Sequence, residues 1–113
     1  MVVSDLSQKD QKVILECLKA AAEGPFFSDH VFHTLFGLER EEGRQIISEW
    51  SDVDGNSEEV VVAINNSINN LLGYPHGRQD VWHSYISVSP EELGVIFARW
   101  RQESVENYFQ GMM

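Results

Sequence analysis

The sequence predicts an all-α fold, a single-domain bundle of about five helices joined by short loops. Three observations carry that expectation. Apolar residues recur at three- and four-residue spacing along most of the chain. Breaks in that spacing fall at Ser, Asn, Asp, Gly and Pro positions that start or stop helices. The chain has 113 residues, of which 42% are hydrophobic and 11% aromatic, enough for one packed core.

The first helix begins at Ser7, with Asp10 three residues on. Val13, Ile14, Cys17, Leu18, Ala21 and Ala22 give its apolar stripe, and Gly24-Pro25 ends it, the Gly as a left-handed cap. A short helix from Asp29 to Phe36, capped by Ser28 or Asp29, stops at Gly37. A third runs from about Glu39 to Trp50 with Ile46, Ile47 and Trp50 facing inward. Asn56 and Glu59 form a capping pair for the fourth. Its buried face is Val60, Val61, Ile64, Ile68, Leu71 and Leu72, and Gly73 and Pro75 close it. Residues 81–88 fit a short helix or an alternating strand. The last helix has Ser89 as N-cap, Pro90 at its first position and Glu92 reaching back, with Leu93, Ile96, Phe97 and Trp100 inside. Arg99 and Arg101 suit its C-terminal end.

No long-period repeat, low-complexity tract or flexible linker marks a second domain, so residues 1–105 read as one unit. The tail 106–113 is set apart. Its Glu106-Asn107-Tyr108-Phe109-Gln110-Gly111 resembles a tobacco etch virus protease site lacking its Leu, and it enters no functional argument. No apolar run approaches the ~20 residues of a membrane span. The first residues show neither a basic segment nor an apolar one of secretory type. The lone Cys17 forms no intrachain disulfide and suits a reducing cytoplasm. A cytoplasmic protein without membrane contact is expected.

The negative charge is unevenly placed. Eighteen acids face eight Lys and Arg, a net charge of −10. Ten of the acids lie between Glu23 and Glu59, opposed there only by Arg40 and Arg44. Such a field repels phosphate backbones and speeds encounter with a basic partner. Direct nucleic-acid binding is therefore disfavoured. Acids also solvate helix faces and favour helix N-termini, which is the competing explanation.

The chemical motifs are few. Asp52-Val53-Asp54-Gly55-Asn56 resembles the opening of an EF-hand loop, but position 6 is Ser57, position 8 is Glu59 and position 12 is Ala63. The bend glycine and the bidentate Glu are both missing, so an acidic turn explains the segment better than calcium. His30 and His33 share an i, i+3 spacing, and His76 and His83 lie in or near the loop of residues 73–78. Together they are the candidate ligands of a transition metal, the alternative being histidines at the margin of a core. No cofactor is expected. Cys17, on an apolar stripe, reads as a small packed hydrophobe rather than a nucleophile. Neither a nucleophile elbow nor a phosphate-binding glycine loop occurs.

Asn65, Asn66, Asn69 and Asn70 spend helix propensity on a polar face. Tyr74, Arg78 and Trp82 follow within nine residues and supply the three residue types enriched at binding hot spots. Trp50 and Trp100 sit on helical stripes as core, whereas Trp82 reads as an exposed anchor.

The run of Phe32, His33, Leu35, Phe36 and Gly37, with Leu71-Leu72-Gly73-Tyr74-Pro75-His76 and Trp100-Arg101, resembles small acidic bacterial helical proteins of unassigned function. Some proteins of that type are immunity partners of secreted toxins. The resemblance carries over no catalytic residue and implies a binding role. The leading expectation is a non-enzymatic binding protein, of immunity or antitoxin type, that docks a basic protein. Glu39, Glu41, Glu42, Asp52 and Asp54 would steer the encounter, and Asn66, Asn70, Tyr74, Arg78 and Trp82 would hold it. A metal-binding helical protein, enzyme or sensor, is the second expectation and a homodimeric scaffold the third. Monomer and homodimer both remain open.

Overall fold

The computed structural model describes residues 7–28, 32, 40–50, 57–74 and 77–102. Among these the fold is all-α, with no strand. Five α-helices follow in order: α1 Gln8–Glu23, α2 Arg40–Ser48, α3 Glu58–Gly73, α4 Trp82–Tyr85 and α5 Pro90–Trp100. A 3-10 turn, Gln79–Val81, leads into α4. The ambiguous segment 81–88 is thus a short helix followed by a connector. The expected helix from Asp29 to Phe36 lies outside the described residues except Phe32, which is buried and donates its N–H to Ser28 O at 2.9 Å.

Local chemistry sets the helix starts. Ser7 Oγ accepts from the Asp10 N–H at 3.1 Å and Ser89 Oγ from the Glu92 N–H at 3.1 Å, as their spacing predicts. The Glu92 carboxylate, expected to reach back to its own cap, instead meets Lys9 Nζ at 3.1 Å. For α3 the cap is Ser57, whose Oγ accepts from the Val60 N–H at 3.3 Å. Asn56 lies outside the described residues.

Gly24 ends α1 without turning left-handed, at φ −84°. Its glycine is required by space: a Cβ there would stand 2.6 Å from Ala20 O. Gly77, at φ 69°, is the described glycine that uses the left-handed region.

The core is continuous. α1 packs on α3, α2 and α4, and α3 also packs on α5. Ile14, Cys17, Ile64, Ile68, Leu93 and Trp100 are fully enclosed between them. Leu72, expected inside, is 37% exposed, because the α3 stripe is centred on Val60, Ile64, Ile68 and Leu71. Trp100 stacks on Phe97 with ring centroids 6.0 Å apart, and Trp50 is half-buried against the core. Polar clasps join α1 to α5 and its approach. Asp10, buried, takes two bonds from Arg99, Nε to Oδ2 at 3.1 Å and Nη2 to Oδ1 at 3.0 Å. Glu16 Oε1 accepts from the Ser87 N–H and hydroxyl. Arg99, in the last turn of α5 as its position predicts, thus also joins α5 to α1.

Among the described residues no helix is long and apolar enough to cross a membrane.

Candidate functional site

The acidic surface is built on α2 and the start of α3. Glu41, Glu42, Glu49, Glu58 and Glu59 are all exposed. Four of them occupy first helical turns, where a carboxylate offsets the positive end of the helix dipole. Glu23 and Glu49 do not. Glu23 closes α1 and Glu49 follows α2, at ends where cations are favoured, and neither helix carries a basic residue in its last turn. Helix stability therefore explains part of the acidic surface, while Glu23 pairs with Arg44 and Glu49 Oε1 accepts from Gln45 Nε2 at 3.2 Å. Arg44 offsets some of the charge, with Nε 3.4 Å from Glu23 and Nη1 3.6 Å from Glu41. Both pairs are exposed and contribute little to stability. Glu39, Asp52 and Asp54 lie outside the described residues.

Arg40, one of two cations inside the acidic third, has a structural use. Its Nη1 donates to Ala21 O at 3.3 Å and to Ala22 O, and its Nη2 donates to Phe27 O at 2.9 Å. The guanidinium also covers the Phe32 ring, 4.5 Å from its centroid. The clamp supplies to α1, from seventeen residues beyond its end, the cation its last turn lacks. It also ties α2 to the exit of α1. Beside it lies an open cleft of about 480 Å³ lined by Ala22, Glu23, Gly24, Phe27, Ser28, Arg40 and Arg44. Sequence reasoning counted Arg40 only as a charge. The available signal was the missing cation at the end of α1.

The expected second half of the site is not assembled as one exposed anchor. Trp82 is 2% exposed, which corrects its reading as a surface anchor. Its Nε1 donates to Val88 O at 2.8 Å, and Phe26 meets its ring edge-on, centroids 6.2 Å apart. Both its apolar area and its polar atom are thus used within the fold. Tyr85, 39% exposed, packs on the same Phe26 at 5.7 Å and is the aromatic that reaches solvent here. Tyr74 caps α3 and is half-buried against Phe27, 5.7 Å away. Arg78 is exposed just before the 3-10 turn.

The asparagines are partly spent on their own helix. Asn70 Nδ2 donates to Asn66 O at 2.9 Å, and Asn65 Nδ2 donates to Asn66 Oδ1 at 3.2 Å.

Of the histidines, His83 is exposed on α4, while His30, His33 and His76 lie outside the described residues, as does the turn Asp52 to Asn56. Among the described residues no three His, Cys, Asp or Glu side chains gather to hold a metal. Cys17 is fully buried, as its stripe position predicts. Burial, and next the neighbouring Glu16 charge, push its thiol far up, so it stays protonated at neutral pH. No family model, curated protein or solved structure matches the chain.

Proposed function

We propose that this protein is a cytoplasmic, non-catalytic binding module whose acidic surface docks a basic protein partner. An inhibitor of a basic toxin, of immunity or antitoxin type, is its most specific form. The observation that supports it is the exposed acidic set Glu41, Glu42, Glu49, Glu58 and Glu59 on and after α2 and at the start of α3, against which Arg44 is the exposed cation while Arg40 is turned onto the α1 carbonyls. Such a surplus of exposed carboxylates, in a chain of net charge −10, suits an external cation. Glu41 and Glu42, exposed on the same third of the chain, add to that field and accelerate encounter more than they tighten the final complex.

The test compares the wild-type chain with a Glu41→Lys/Glu42→Lys variant, each recovered from its own cells at low salt and weighed by native mass spectrometry. The expected result is a stoichiometric complex of the wild type with a basic polypeptide, whose association with the variant is at least tenfold slower. An unchanged association rate for the variant, or a partner that is itself acidic, overturns the reading.

A further inference from the structure

The outer side of α3 differs from every acidic surface just described. Between Glu59 and Arg78 the sequence has no Asp, Glu, Lys or Arg, although the chain carries 26 such residues in all, 18 acidic and 8 basic. Away from the buried stripe, Val62, Asn65, Asn69 and Leu72 follow one another at spacings of three, four and three residues. That is the spacing of a seam between two packed helices. Asn69 and Leu72 are exposed, and Val62 and Asn65 are half-buried. A solvated helix face is ordinarily built from Glu, Lys, Arg or Gln, all better helix formers than Asn or Val. Here two apolar side chains and two carboxamides take those places.

Two properties select the occupant of this seam. The first is symmetry. Val62 and Leu72, like Asn65 and Asn69, are equidistant from position 67, so the order apolar, amide, amide, apolar is the same in either direction. Laid antiparallel on a copy of itself, the seam sets Val62 opposite Leu72 of the second copy and Asn65 opposite its Asn69. A carboxamide both donates and accepts, so amide faces amide without an orphaned group, as an interface between identical surfaces requires. The second is charge. Two chains of −10 repel one another, and a neutral face is where they can approach at least cost. The antiparallel arrangement also keeps the acidic first turns of the two α3 helices apart. The eighteen-residue span between the two copies of Glu58 along the pair corresponds to about 27 Å at ~1.5 Å per residue, well beyond the ~10 Å screening length of 0.1 M salt.

We propose that α3 is a self-association surface, pairing antiparallel with α3 of a second copy of this chain through Val62, Asn65, Asn69 and Leu72. The seam is only some three turns long, a contact of the size of a reversible association rather than of an obligate assembly. The pairing does not rest on the basic-partner reading, and salt separates the two. Screening weakens attraction between an acidic surface and a basic protein, whereas it relieves repulsion between two acidic chains.

Sedimentation velocity of the full chain across the micromolar range, at about 0.1 M and about 1 M salt, makes the test. The expected result is a mass rising from 12.9 kDa toward twice that value, with more dimer at the higher salt. An Asn65→Asp/Asn69→Asp variant, with unchanged helical circular dichroism, requires at least tenfold more protein to dimerise. Register is read by mixing Asn65→Cys with Asn69→Cys chains under mild oxidation, where the 65–69 crosslink exceeds either symmetric one; Cys17, buried and protonated, stays out of the exchange. A chain that remains at 12.9 kDa throughout, a dimer indifferent to the two Asp substitutions, or a predominance of symmetric crosslinks overturns the proposal.

Discussion

α2 and α3 are successive described helices, yet they are held in the bundle by different physics. α3 runs for 16 residues and buries seven of them, Val60, Val61, Ala63, Ile64, Ser67, Ile68 and Leu71. α2 runs for 9 and buries only Gly43 and Ile46. What α2 lacks in apolar area is offset by Arg40, whose guanidinium reaches the carbonyls of Ala21, Ala22 and Phe27. Their outer faces differ in the same sense. α2 presents Glu41, Glu42, Arg44 and Gln45 to solvent, while α3 beyond its first turn presents amides and aliphatic groups. The contrast teaches that a helix anchored by one polar clamp can give its surface over to charge. A helix anchored by a long stripe keeps its place whatever its outer face carries, and is free to hold a neutral seam.

Substitutions can break or sharpen this contrast. The largest effect is expected from Ile68→Ala on α3. Removing a fully enclosed side chain costs about 2–5 kcal/mol, and chemical denaturation should show a single, earlier transition for the whole domain. Arg40→Met should come next, at about 1.5–3 kcal/mol, since it strips three carbonyls of a charged donor that water partly replaces. Its signature is local: hydrogen exchange should quicken in α2 and in the last turn of α1 before it changes in α3. Uniform quickening would refute the clamp. Ser57→Ala removes the cap of α3 and is expected to cost about 1 kcal/mol in the same denaturation assay. Glu41→Gln/Glu42→Gln should be smallest for stability, within about 1 kcal/mol of wild type, because the two exposed carboxylates contribute only their offset to the helix dipole and a weak pair with Arg44. A loss above 2 kcal/mol there would mean that the acidic face is structural.

Much of this architecture was legible from local chemistry. Ser7 with Asp10, and Ser89 with Pro90, announce their helices because a cap bonds an N–H three residues away. The α3 start was displaced by one residue because Asn56 and Glu59 also have capping-box spacing, while the Ser57 hydroxyl makes the bond. Gly24 was read correctly as a stop and wrongly as a left-handed one; its need for glycine comes from the close approach of Ala20 O. The site was less legible, for a non-local reason. Trp82 starts a four-residue helix too short to show a stripe, and its burial depends on Phe26, far back in the chain, and on the Val88 carbonyl. Arg40 likewise finds its partners 13 to 19 residues upstream. Spacing within a helix shows which face is apolar, but not which distant group will cover a neighbouring aromatic or claim a cation.

The most direct test of the central claim, that the acidic surface serves a basic partner, is the salt dependence of the complex recovered from the protein's own cells. Native mass spectrometry after equilibration at about 0.1 M and about 1 M salt should find a basic polypeptide bound at the lower concentration and released at the higher. A partner retained equally at both, or one without excess positive charge, would contradict the account.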